Sequence, residues 1–214
     1  MAAIGPLTAV AASYWAERAG VGLFHWLVLP PAMELMISVA LLDLAIYWQH
    51  RAFHRVGWLW RLHRVHHADP ELDVTTGVRF HPIEYGLSML WKAAVVLLTG
   101  ASFSAVIVFE ILLNLLSLFN HANLRLPVQL DRKLRRVIVT PDFHAVHHSR
   151  RSEEHHRNFG FNLAWWDYLF GSYRPTARAG PQGLAIGLDA VPADRAVGPM
   201  VALLLPAAPP PAGE

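Results

Sequence analysis

The chain has 214 residues, 54% of them hydrophobic and only 16% charged, a balance too apolar for an ordinary water-soluble domain and one that points to a membrane. It has no cysteine, which excludes disulfides, thiolate metal sites and cysteine nucleophiles. The formal net charge is +2 and Lys92 and Lys133 are the only lysines, so no nucleic-acid footprint is indicated; the anomaly is 13 histidines in spaced clusters.

Residues 1–31 carry two short apolar patches around Glu17 and Arg18, lack the basic leader of a signal peptide and close at Pro30-Pro31. They predict an interfacial or short membrane helix. Ala32 to Trp48 is about one bilayer crossing long, with Glu34 near one end and Asp43 inside it. Gln49 through His67 turns polar and is expected to be helical, with Gly57 as a joint, and residues 68–82 read as a loop. The apolar stretch Ile83–Phe119 is too long for one crossing and suits a tight helical hairpin turning at Gly100. Lys92, Glu110 and Asn114 interrupt it, and polar groups at membrane depth face protein or a cavity. Residues 120–175 are again rich in histidine, arginine and aromatics. From Arg174 the tail is rich in Pro, Gly and Ala, and its last part is expected to be disordered. The fold expected is an all-α integral membrane protein of three to four apolar helices with a histidine-rich helical cytosolic cap. Its boundaries are residues 1–31, a main domain at 32–175 and a C-terminal extension at 176–214.

The histidine spacings carry the chemistry. His50 and His54 are spaced i, i+4, which puts them on one helix face. His63, His66 and His67 are spaced i, i+3, i+4, and His144, His147 and His148 repeat that pattern. Adjacent helical turns can thus present several imidazoles to one metal centre, and eight imidazoles exceed what one ion can use, so two ions are indicated. Two HxxHH triplets by accident are improbable, and the accident would also bury many unpartnered imidazoles near lipid at several kcal/mol per group. Imidazole suits zinc, copper, iron and nickel alike. A hydrolytic zinc site needs only three protein ligands and an open water position, whereas a larger neutral nitrogen set favours redox chemistry and iron.

At these motifs the chain resembles the fatty acid hydroxylase/sterol desaturase superfamily of membrane di-iron oxygenases, and in particular its short bacterial sterol desaturase type. The likeness covers about residues 40–190. It rests on His50-x-x-x-His54, His63-x-x-His66-His67 and His144-x-x-His147-His148, and on the text at 73–84 (DVTTGVRFHPIE), 119–127 (FNHANLRLP), 140–149 (TPDFHAVHHS) and 158–173 (NFGFNLAWWDYLFGSY). The resemblance implies a centre of two iron ions, O₂ as co-substrate, electrons from outside and a lipid, sterol or isoprenoid substrate that is hydroxylated or desaturated. The segment around His121 offers a single histidine where some relatives supply a spaced pair, and His81 is the candidate for that place.

His81 and His121 each lie at an edge of the apolar hairpin, beside the clusters, and join the candidate metal ligands His50, His54, His63, His66, His67, His144, His147 and His148. No catalytic residue beyond the metal ligands is assigned. His155 and His156 are balanced between a ligand role and a solvated loop, and His25, far from the motifs, reads as structural. Asp69, Asp73, Glu84 and Asp142 are candidates to accept the second ring N–H of ligating histidines. Trp165 and Trp166 read as interfacial anchors, and the arginines around residues 51–64 and 132–151 as the positive-inside signal of a bacterial inner membrane protein with its metal site on the cytoplasmic side. No Gly-rich nucleotide fingerprint is present, so electrons are expected from a separate ferredoxin- or cytochrome-type donor. Zinc is the metal that heterologous expression would load in place of iron. Two alternatives stay open: a membrane hydrolase with a zinc pair, and a non-enzymatic metal-transporting or metal-storing membrane protein.

Overall fold

The computed structural model describes residues 4–180 and 183–189. The chain is all-α, and among the described residues the only β pairing is two isolated bridges, Ile138–Leu163 and Ser149–Ile186. Four helices make the apolar body: α1 (Ile4–Ala19), α2 (Pro31–Arg55), α4 (Pro82–Thr99) and α5 (Phe103–Asn120), with α3 (Gly57–His67) following α2. Short helices α6 (Val128–Leu134), α7 (Pro141–His147), α8 (Ser152–His155) and α9 (Trp165–Leu169) build the cap with α3.

The start and stop signals are local. Pro31 and Pro82 each occupy the first turn of their helix, where a missing N–H costs nothing. α2 runs seven residues past the apolar segment ending at Trp48, because nothing in Gln49–Arg55 breaks a helix, and so carries His50 and His54 beyond that segment on a continuous rod. It ends at Val56, which is extended (φ −100°, ψ 113°), and the chain bends into α3 at the Gly57 joint. Between α4 and α5 the turn is made by Gly100 in the left-handed region (φ 68°), with Ser102 capping α5 through a bond from Ala105 N–H.

α1 and α2 both pack on the α4–α5 hairpin, around a core that includes Leu42, Ile46, Val96, Val106 and Phe109. At the turn end Gly22 lies against Gly100 so closely that a Cβ on Gly22 would stand 2.2 Å from the Gly100 nitrogen. His25 sits at that same end, beside Gly100 and remote from the other histidine motifs. Among the described residues two helices, α2 and α5, are long and apolar enough to cross a membrane, yet only 28% and 33% of their apolar windows are buried within the protein. Leu90 and Leu98 on α4 and Ile111 and Leu115 on α5 are likewise exposed outward, as side chains that meet lipid would be.

α4 leaves the histidine end and α5 returns to it, so the hairpin brings His81 and His121 back beside α3. The segment beyond 175 contributes to the cap: Leu188 packs with Trp60 and Ala68, and Arg150 N–H bonds the Ala185 carbonyl. The expectation of disorder in the final stretch concerns residues 190–214, which lie outside the described residues.

Candidate metal centre

Nine of the ten histidines singled out above converge in two adjacent groups. His50, His54, His63, His67 and His147 form one, and His66, His121, His144 and His148 the other; within each group one ligand nitrogen from every ring lies within 4.8 Å of the rest. All nine rings are buried.

Each HxxHH triplet is divided between the two groups. His63 and His67 go to the first and His66 to the second, while His144 and His148 go to the second and His147 to the first. Helix geometry explains this. At about 100° per residue, positions i and i+4 are about 40° apart, whereas i+3 stands about 60° to the other side of i. A triplet therefore offers two rings to one point and the third to a neighbouring point, rather than all three to a single centre. α3 and α7 face each other with reciprocal assignments, and the rings of His67 and His148 stack across the boundary with centroids 4.5 Å apart.

Backbone and carboxylate acceptors orient the rings. His50 Nδ1–H donates to the Phe159 carbonyl at 2.9 Å, His147 Nδ1–H to the Arg157 carbonyl at 2.8 Å, and His63 Nδ1–H to Glu84 Oε1 at 2.6 Å. In the second group His121 Nδ1–H donates to the Ser117 carbonyl at 2.7 Å. Each bond fixes the tautomer that leaves Nε2 bare and pointing inward. Of the four acidic candidates only Glu84 reaches a histidine in this way. Asp69 instead accepts from Thr76 and pairs with Arg79, Asp73 accepts from Thr75, and Asp142 has burial, with like-charged Asp131 beside it, raising its carboxyl rather than an imidazole partner.

The donor atoms have the character of a cation site. In the first group the Nε2 atoms of His50, His54, His63, His67 and His147 are all buried without a hydrogen-bond partner. In the second, Nε2 of His121 lies 3.2 Å from that of His66 and 3.0 Å from that of His144, which is 3.2 Å from Nε2 of His148. His121 has spent its single proton on Ser117, so its lone pair faces the other nitrogens, an arrangement that a central cation satisfies for all four at once. Burial presses the His63 imidazole down to about 3 and His121 to about 4, and holds His66, His67, His144, His147 and His148 well below the usual histidine value, with neighbouring histidines adding to the shift for all of these but His63. At neutral pH these rings are unprotonated, the form that binds metal.

His81 stands apart from both groups. It is the N-cap of α4, its Nδ1 accepting from Ile83 N–H at 3.2 Å. His155 is buried and stacked on Trp60 at 5.1 Å, with Nδ1–H on the Ser149 carbonyl, and His156 approaches His54 Nδ1 at 3.3 Å; neither belongs to a group.

Several supporting residues carry no signal in the histidine pattern. Asp167 accepts from Phe159 N–H, Gly160 N–H and Ser172 Oγ, and so fixes the loop whose carbonyl orients His50. Asp43 on α2 accepts from Asn162 N–H, Leu163 N–H and Trp166 Nε1, tying the same loop to the membrane helix. Asn158 takes the left-handed conformation (φ 55°) that asparagine tolerates, and its side chain bonds the Phe143 and Arg174 carbonyls. Gly77 passes His121 so closely that a Cβ there would lie 3.2 Å from Nδ1 and 3.0 Å from Ser117 Oγ. The text NFGFNLAWWDYLFGSY resembles the family, but only three-dimensional contacts reveal what it holds in place.

Beside the first group lies a cavity of about 380 Å³ between α2, α4 and α5, reached by His50 and His63 and lined mainly by apolar atoms.

A sequence model of the fatty acid hydroxylase family matches residues 35–172, which contain every histidine of both groups. The chain belongs to the fatty acid hydroxylase family. Among its relatives, the ornithine lipid hydroxylase OlsE of Rhizobium tropici is 28% identical over 74% of this chain and 46% of its own length. The alkylglycerol monooxygenase of Danio rerio is 32% identical over 71% of this chain and 33% of its own, and the human fatty acid hydroxylase domain-containing protein 2 is 25% identical over 58% and 34%. The chain spans less than half the length of these curated relatives. No solved structure matches it significantly.

Proposed function

We propose that this fatty acid hydroxylase family member is a membrane-bound di-iron oxygenase that inserts oxygen into, or desaturates, a C–H-rich segment of a lipid. The observation that carries the reading is the juxtaposition of two groups of buried, unprotonated imidazoles with a largely apolar cavity that touches His50 and His63. The ligand set proposed is His50, His54, His63, His67 and His147 for one ion and His66, His121, His144 and His148 for the other. His81 is left as a helix cap. Two iron ions, when bound, supply O₂ reduction and oxidation of an unactivated C–H bond.

The chain's own residues do the rest. The histidines act as ligands rather than bases, and four of them, His63, His50, His147 and His121, are held in one tautomer by Glu84 and by the Phe159, Arg157 and Ser117 carbonyls. Ile46, Phe53, Leu113 and Phe161 give the cavity walls that hold an acyl or isoprenoid chain beside the centre and keep water away from it. In hydroxylation one atom of O₂ enters the product and the other leaves as water, with two electrons supplied by a separate donor protein and two protons taken from solvent. In desaturation both atoms leave as water. The reading is supported by the hydroxylase and monooxygenase names of the relatives. The orientation proposed is the histidine end in the cytoplasm of a bacterial inner membrane, because Arg51, Arg55, Arg61, Arg64 and the arginines at 132, 135 and 136 cluster in the segments at that end.

The test supplies purified enzyme in nanodiscs with reductant, a donor protein, a lipid extract from a deletion strain and isotopically labelled O₂. A product that gains label, or gains a double bond only when O₂ is present, supports the proposal. A product formed equally well without O₂, or carrying oxygen from water, contradicts it and favours a hydrolase.

A further inference from the structure

The oxygenase reading uses the end of the cavity at His50 and His63 and leaves the other end unexplained. There Lys92 of α4 donates to Glu110 of α5 at 2.6 Å, with side chains only 9% and 5% exposed. Lys92 is eight residues along α4 from Glu84, and Glu110 seven residues along α5 from Ser117. At 1.5 Å per residue the pair lies about 10–12 Å from the metal end of the cavity, near the middle of the hairpin. Charged residues at that depth are costly to keep and usually mark a functional path.

The pair is not self-sufficient. Glu110 Oε1 takes the ammonium, but Oε2 is buried with no partner. Gln49, which lines the same cavity, spends its amide N–H on Ser88 Oγ and leaves Oε1 buried and unpartnered as well. Asn114 offers no relief, since its Nδ2 donates to the Glu110 backbone carbonyl. The far end of the cavity thus presents one unmet carboxylate oxygen and an ammonium that has N–H bonds to spare, while Gln49 Oε1, on the residue next to His50, is a second unmet acceptor nearer the metal end.

Four kinds of occupant can be compared. A plain hydrocarbon leaves both acceptors unmet. An anion is drawn to Lys92 but faces the bare Glu110 oxygen. A cation satisfies that oxygen but leaves a net positive charge in a neutral, low-dielectric site. A hydroxyl donates to Glu110 Oε2, accepts from Lys92 and adds no charge.

We propose that Lys92 and Glu110 form a specificity site for a hydroxyl group, so that the preferred substrate is a lipid carrying an alcohol about 10–12 Å along its chain from the carbon presented to His50 and His63. The proposal deepens the oxygenase reading and rests on it for the position of the oxidised carbon. It also places the enzyme after a reaction that leaves an alcohol on the apolar part of a lipid.

The test measures equilibrium binding of two isotopically labelled probes, decanol and decane, to the metal-loaded protein in nanodiscs, each corrected for its uptake by empty nanodiscs. A hydroxyl bound to charged partners predicts a decanol preference of about tenfold or more in the wild type. The double variant Lys92→Met with Glu110→Leu removes both charges at similar volume, a replacement that buried ion pairs generally tolerate, and should keep its metals while the preference falls to about one. The milder pair Lys92→Gln with Glu110→Gln keeps polar groups and should lower the preference several-fold. A wild-type ratio near one overturns the proposal regardless of how the variants fold, as does a preference that is undiminished in either double variant. A decanol preference that persists in a protein unable to incorporate labelled O₂ contradicts the oxygenase reading instead, so the two failures are distinguishable.

Discussion

Glu84→Ala separates a metal site supported by its surroundings from one built by ligands alone. Glu84 Oε1 accepts from His63 Nδ1 at 2.6 Å, and both side chains are no more than 5% exposed. Removing the carboxylate leaves a buried imidazole N–H without an acceptor and frees the ring to turn. Loss of such an outer partner lowers metal affinity by about 10- to 100-fold, or about 1.4–2.8 kcal/mol, in line with the roughly 1.5–3 kcal/mol of a hydrogen bond to a charged group. Glu84 also lines the cavity, so water entering the vacated space should move the loss toward the lower end. Glu84→Gln keeps a carbonyl acceptor and should cost only several-fold. The assay is chelator competition followed by metal analysis, with Asp142→Asn as the control that touches no imidazole. Unchanged affinity in Glu84→Ala, or a loss as complete as that of His63→Ala, would refute the reasoning.

Other perturbations reach other parts of the account. Asp43→Ala leaves two backbone N–H groups and the Trp166 indole N–H unpaired, so at about 1–3 kcal/mol each the thermal midpoint should fall by many degrees; a midpoint within a degree or two of wild type would show that Asp43 is not what ties the 159–166 loop to α2. Gly22→Ala pushes a Cβ into the Gly100 backbone and should markedly lower the yield of folded protein, whereas Gly86→Ala, which meets nothing within 4 Å, should be neutral or slightly stabilising by size-exclusion and melting assays. Metal-free protein should lose stability in mild acid. The folded-state values of His63 (about 3) and His121 (about 4) lie below the ordinary value near 6.5, so their contribution is complete above pH 6.5 and is lost as pH falls toward 4 and 3; melting points that stay level or rise between pH 7.5 and pH 5 would contradict this.

Much of the architecture was legible because membrane helices and helical ligand spacing are local properties. The proline at each helix start, Gly57 at the bend and Gly100 at the hairpin turn all act within one or two turns of chain. The division of each HxxHH triplet follows from the 100° step of a helix, but which rings of the two triplets share a group depends on how α3 and α7 face each other. His81 shows the same limit: position beside the hairpin suggests a ligand, while its backbone geometry makes it the cap of α4. Asp43 and Asp167 act across long sequence separations, through backbone N–H groups that no residue pattern reports. Lys92 and Glu110 were legible as interruptions, but their mutual bond and the bare Oε2 exist only once α4 folds back on α5.

The central claim is a centre of two irons held by unequal histidine sets, five rings on one side and four on the other. It is tested most directly by Mössbauer spectroscopy of protein purified anaerobically from cells grown on enriched iron, with iron counted on the same sample. The account predicts two irons per chain and two quadrupole doublets of equal area, both lost together with activity in His147→Ala and His144→Ala. A single iron per chain, or full lipid-oxidising activity in protein that holds zinc and no iron, would contradict it.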